Sequence, residues 1–360
     1  MSKFNLFILL FVAFSMLSCN KDKNENPVLN DAGYNIGRGV FVLNEGTFTY
    51  ANSSLSFYDN EADTVCNNLF FKVNNAPIGD VGQSLKLHGG DLFIVVNNSK
   101  YIYKADAKTM KYKGKVEGMT SPRQMCVLED GKAYVTDLAS PGLWLVDLNT
   151  MENKGLIETG KSTEAVVRVG DEVFVSNWSN YYVGSVSNNT VQVIDVKEDR
   201  LVGEIEVATE PNAMVVDKDN NIWVLCGGGY SGADKDPSLL CVELSSREVI
   251  RRFDFEDNSY PSGLAIDGEG ETLYFLNGSY GNLDLYCMGI HEQSLPAQPL
   301  ISGKDKVLYN VNVDPHNGDI YVTNAKNYVQ NGDVERYSSK GELISSFSVG
   351  LIPNNIVFNY

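Results

Sequence analysis

The side chains that most readily do chemistry are sparse in this chain. Its 360 residues include three histidines, His88, His291 and His316. No two are spaced as metal ligands, and no nucleophile elbow, zinc-binding helix or phosphate loop accompanies them. Acidic clusters such as Glu61 to Asp63 and Asp254 to Asp257 read as solvated turns rather than acid–base pairs. One catalytic arrangement can be drawn, a calcium ion held by Asn44, Glu45, Asn97 and Asn277 in a hydrolase. The residues otherwise predict no enzyme, no cofactor and no resident metal. What the chain has in quantity is recognition chemistry: 19 tyrosines and three tryptophans, together with many Asn and Gln. Aromatic rings give contact area with a polar handle, and amides both donate and accept hydrogen bonds.

The elements that must carry these residues are written into the chain as a repeat. A short apolar strand ending on a small or polar residue occurs seven times: GVFVLN from Gly39, DLFIVVN from Asp91, KAYVTD from Lys132, EVFVSN from Glu172, NIWVLC from Asn221, TLYFLN from Thr272 and DIYVTN from Asp319. The spacing, 40 to 53 residues, is that of a four-stranded propeller blade. Each copy has an alternating strand before it, such as QSLKLH (Gln83 to His88) or NAMVVD (Asn212 to Asp217). Another follows it, such as LWLVDL (Leu143 to Leu148), and a weaker fourth leads to the next blade. The predicted fold is all-β, a seven-bladed β-propeller of four-stranded blades over residues 38–360. The inner strand of the first blade is missing upstream of Gly39 and is supplied by NNIVFN (Asn354 to Asn359), which closes the ring and removes a free edge.

In such a ring, the loops after the second strands and before the inner strands open on one face. The sequence gathers its aromatics and amides there: Asn44, Tyr50, Gln83, Asn97, Tyr101, Arg123, Gln124, Asn177, Trp178, Tyr181, Asn212, Tyr230, Tyr260, Asn277, Tyr280, Asn310, Asn324, Tyr328 and Asn354. They are the predicted ligand-binding set, on a face expected to be nearly free of strong charge. For the repeated Asn, an equally available role is to cap the turn that ends its strand. The opposite turns, EDGK, DKDNN, DGEGE and DPHNG, carry no aromatic. Cys226 interrupts the Asn pattern in the fifth blade and precedes Gly227 to Gly229, which marks that loop as free to serve a ligand. Cys226 and Cys241 fall on neighbouring strands of this blade and can pair if their register allows.

The first residues read as targeting rather than fold. Lys3 precedes an apolar run from Leu6 to Leu17 that is too short to span a bilayer. Met16-Leu17-Ser18-Cys19 resembles a lipobox, which makes residues 1–18 a signal peptide and Cys19 the lipidated residue; an ordinary secretory signal with an incidental cysteine is the alternative. Asn20 to Asn30 (NKDKNENPVLN) are polar and charged, as a tether is, so residues 19–37 read as the lipidated cysteine and its tether. A charged run directly after the cysteine resembles the surface-export signal of Bacteroidota lipoproteins, so the chain is expected on the outer membrane, facing the cell exterior. The net charge of −17 becomes −18 once the first 18 residues, with Lys3 and no acid, are removed. Such a body repels phosphate backbones, which excludes nucleic acid as partner.

The repeats also carry a resemblance. YVTN stands at Tyr321 to Asn324, with YVTD at Tyr134 to Asp137, FVSN at Phe174 to Asn177, and a Pro-x-x-strand-Asp-turn-strand unit from Glu210 to Val224. These resemble the YVTN-repeat, or YncE-like, β-propeller family. With the lipid anchor, the tether and the acidic body, the chain looks like the BtuG-type cobalamin-binding surface lipoproteins of Bacteroidota. That resemblance implies capture of cobalamin or another corrinoid, carried as ligand and not as cofactor, and its delivery to an outer-membrane TonB-dependent transporter. The alternative from the same residues is a surface module that binds a glycan or a partner protein.

Overall fold

Side chains alternate across a strand, so a strand apolar at every position must be covered on both faces. The seven signature strands meet that demand: Gly39–Asn44 and Asp91–Val96 are buried along their whole length. In the computed structural model, residues 29–30, 33–34, 36–179, 188–229 and 236–360 are described. Among them, seven antiparallel sheets form blades, and a two-stranded hairpin pairs Leu29–Asn30 with Gly33–Tyr34. The inner strands, in blade order, are Pro353–Asn359, Gly82–His88, Pro122–Val127, Val166–Val169, Pro211–Val216, Ser262–Ile266 and Leu308–Val313. Each touches the next and the last touches the first, so the ring is closed.

The core is distributed accordingly. Among the described residues, seven apolar clusters fill the seven gaps between neighbouring blades. Phe41 and Leu43 pack towards blade 2 while Val40 and Val42, on the same strand, pack towards blade 7. Pleating sends alternate residues to opposite faces, and each face meets a different neighbour. The closure expected from the C-terminal segment is present: Ile356 pairs with Val42 and Phe358 with Val40.

Two features depart from the repeat. Blade 6 has three strands, Ser262–Ile266, Thr272–Ser279 and Asn282–Gly289, where the other blades have four. Only an isolated bridge, Leu285 to Ile301, stands at its outer edge. Pro296 and Pro299 lie in that connection, and a residue without an N–H cannot extend a ladder. Between blades 1 and 2 a short helix, Leu69–Asn74, buries Leu69 and Phe70. Among the described residues, no helix is long and apolar enough to cross a membrane.

The possible Cys226–Cys241 pairing is excluded by register. Cys226 lies opposite Ser238, and Cys241 lies opposite Trp223. The two thiols are thus an odd step apart and face opposite sides of blade 5, one packed towards blade 4 and the other towards blade 6. Both are free and buried, and burial pushes the Cys226 thiol far above its ordinary pKa.

Candidate functional site

Six of the inner strands begin with a register shift that inserts a residue: between Gly82 and Ser84, Pro122 and Met125, Pro211 and Ala213, Ser262 and Leu264, Leu308 and Asn310, and Pro353 and Asn355. A bulge re-aims the extra side chain out of the ladder. Here the extra positions, Gln83, Arg123, Asn212, Gly263, Tyr309 and Asn354, all line one cavity of about 490 Å³ at the mouth of the ring. Blade 4 has no such shift and contributes Glu164 from the approach to its inner strand, with Trp178 from the loop beyond its second strand. Every blade therefore supplies part of the wall.

One side of this ring is knitted together. Arg123 donates from Nε and Nη2 to the Glu164 carboxylate at 2.6 and 2.8 Å, and from Nη1 to Gln83 Oε1. Its guanidinium lies 5.8 Å from the Trp178 ring centroid, near enough for a cation–π contact. Asn354 donates to Glu45 Oε1 at 2.7 Å and to the Gln83 carbonyl at 3.3 Å. Asn310 donates to Asn354 Oδ1 at 2.9 Å, and the Tyr309 hydroxyl donates to Glu45 Oε2 at 2.9 Å. Burial raises the Glu45 carboxyl to about 7, against the opposing pull of Tyr309, Arg123 and Asn354. Burial and the adjoining Glu45 hold the Tyr309 hydroxyl well above its usual value, so it stays a donor.

The other side is open. At Gly263 the bulge position has no side chain, and its φ of +58° suits glycine; a Cβ there would lie 2.9 Å from Asn310 Oδ1. Next to this gap, the amide of Asn212 makes no hydrogen bond among the described residues, and neither does that of Gln124 across the mouth. Tyr260 and Tyr280 meet edge to face at 5.5 Å, and Tyr309 and Tyr328 at 6.1 Å, forming an aromatic wall on blades 6 and 7. Tyr280 stands 78% exposed, so this wall projects above the mouth.

Of the residues expected at the site, Gln83, Arg123, Gln124, Trp178, Asn212, Tyr260, Tyr280, Asn310, Tyr328 and Asn354 line the cavity. The strand-ending amides do not; all but Asn277 fasten the chain on its way into an inner strand. Asn44 accepts from Gly350 N, Asn177 donates to the Ser162 carbonyl and Asn324 accepts from Val307 N. Asn97 donates to the Ser121 hydroxyl and the Pro122 carbonyl. In blade 3 the equivalent Asp137 accepts from the backbone N–H groups of Thr120 and Ser121. Asn277 is half-buried away from the cavity, with its carbonyl oxygen unpaired. Tyr101 donates to the Ile78 carbonyl, and Tyr50 is exposed on an outer loop. Tyr181, Tyr230 and Cys19 lie outside the described residues.

The mouth is also more charged than the sequence led us to expect. Glu45, Glu164 and Glu210 line it with Arg123. A bulge residue is visible in sequence as the residue after proline in Pro122-Arg123, Pro211-Asn212 and Pro353-Asn354, a signal that also leads to the ring that Glu45 and Tyr309 complete. Among the described residues, no group of three or more His, Cys, Asp or Glu side chains is placed to hold a metal ion.

The family described as Domain of unknown function (DUF5074) matches residues 38–359. The chain belongs to this family. No curated protein matches it in sequence. Among solved structures it is similar to a quinonprotein alcohol dehydrogenase-like protein from Bacteroides thetaiotaomicron, with a TM-score of 0.69 at 17% identity, covering 90% of this chain and 78% of that one. It is similar to a protein from Lactobacillus plantarum, with a TM-score of 0.64 at 14% identity over 90% of this chain and 100% of that one. It also resembles the hydrazine synthase of Kuenenia stuttgartiensis, with a TM-score of 0.61 at 14% identity over 76% and 88% of the two chains. At these identities the likeness is one of fold.

Proposed function

We propose that this DUF5074 propeller captures a large, uncharged, amide-bearing ligand at its mouth, and that the ligand is cobalamin or another corrinoid. The observation that carries this reading is the pairing of uncommitted amides, Gln124 and Asn212, with the tyrosine wall in one open cavity. The cavity volume falls in the usual range of small-molecule sites. A corrin ring presents a broad apolar face and a rim of amides: aromatic side chains cover the first, and Asn and Gln pair with the second. A binder, rather than an enzyme, also agrees with the paucity of catalytic groups in the sequence. In this reading Cys19 carries the lipid anchor, the body faces the cell exterior, and the captured corrinoid passes to a TonB-dependent transporter in the outer membrane.

Titration calorimetry of the purified protein with cobalamin tests the reading. We expect sub-micromolar binding that Trp178→Ala weakens by about tenfold, the loss of one well-packed aromatic contact. No heat with any corrinoid sinks the proposal. A glycan-array signal in its place would transfer the tyrosine wall to a carbohydrate.

A further inference from the structure

Resting on the corrinoid reading, we propose that the mouth selects ligands whose periphery is amidated and rejects their carboxylate counterparts, because among the described residues three carboxyl groups line the cavity against one guanidinium, which is already committed to one of them. Among the described residues, Glu45, Glu164 and Glu210 all line the cavity and no lysine or histidine does. Glu164 and Glu210 are buried. Among the described residues Arg123 is the one cation of the wall, but both arms of its fork facing Glu164 are engaged, and its other terminal nitrogen donates to Gln83. Three of its five N–H groups are thus committed, and the Nε–Nη2 edge, one of those by which arginine grips a carboxylate in bidentate fashion, is already filled by Glu164.

Acceptors, by contrast, remain available. Each Glu45 oxygen receives one hydrogen bond, from Asn354 or from Tyr309. A carboxylate oxygen has room for a second donor. With Glu45 ionised, a ligand N–H₂ meets these acceptors as a partner, whereas a ligand carboxylate meets them as a like charge in a partly water-excluded bowl. Gln124 and Asn212 do not discriminate, since an amide can donate to either group. The discrimination is thus assigned to the carboxyls. The overall charge of −17 adds a longer-ranged repulsion of the same sign, which salt screens.

The test compares two corrins that share a ring and differ at the rim: cobinamide, whose side chains are amides, and cobyrinic acid, whose side chains are carboxyls. Titrated into the purified protein at about pH 8.5, where Glu45 is ionised, and at low salt, cobinamide is expected to bind about tenfold tighter or more, the scale of one unfavourable charge contact. Glu45→Gln and Glu210→Gln are each expected to narrow that ratio, with thermal melts recorded to show that both variants fold. Equal affinities, or tighter binding of the acid, overturn the proposal. So does a preference that neither substitution moves. If neither corrin binds, the corrinoid reading fails first and takes this inference with it.

Discussion

Single side chains at the mouth divide into those already spent on structure and those left for a ligand. Arg123 and Glu164 belong to the first group. Their side chains are 15% and 7% exposed, and removing one partner of such a buried pair leaves an uncompensated charge, at a cost of about 3–5 kcal/mol. Glu45 belongs to both groups. Its carboxyl titrates near 7 in the folded protein, against an ordinary value of about 4.5 in the unfolded chain. Between these two values the folded state keeps a proton that the unfolded state has lost. Stability must therefore fall as pH rises from about 4.5 to about 7 and level off above, by on the order of 3 kcal/mol from this group. Denaturant titrations across that window should show the decline in the parent and a flatter profile in Glu45→Gln. Equal slopes in the two proteins would falsify this assignment.

The elements explain why those side chains meet. Six inner strands spend one extra residue at their start, and the bulge turns that residue from the ladder into the mouth. The same blades bury their second strands on both faces, which fixes the register and so the height at which each bulge sits. The strand-ending Asn and Asp side chains then pin the loops that feed the inner strands. Ring closure depends on a single strand, Pro353–Asn359, which also delivers Asn354 to the site. Deleting residues 354–360 removes the buried Ile356 and bares the edge of Gly39–Asn44. The melting temperature is expected to drop by roughly 10 °C or more, or the transition to lose cooperativity. An unchanged, cooperative melt would show that the closing strand is dispensable.

Across the whole molecule, stability is spread over seven equivalent gaps rather than one core. The described cysteines sit in those gaps or beside them as free thiols. A structural disulfide would contribute about 2–4 kcal/mol. Melting curves with and without reductant should therefore agree within about 1 °C. A clear fall on reduction would mean that a pairing outside this register exists.

How far the sequence reached depends on the range of the physics involved. The repeat of apolar strands determined the blade count, the order of strands and the return of the C-terminal segment to blade 1. Each of these follows from local alternation and from the need to leave no open edge. The residue after Pro122, Pro211 and Pro353 was equally legible as a candidate. What tertiary structure alone decided was the use of side chains that look alike in sequence. Asn177 and Asn212 are both loop-proximal amides, yet one is locked to the Ser162 carbonyl and the other faces the cavity. Cys226 and Cys241 look pairable until register sets them on opposite faces. Glu45 and Tyr309 lie 264 residues apart and become hydrogen-bonded neighbours only when the ring closes. Composition and period report what each strand must bury; the charge inside the mouth depends on which bulges converge there, and only the closed ring brings them together.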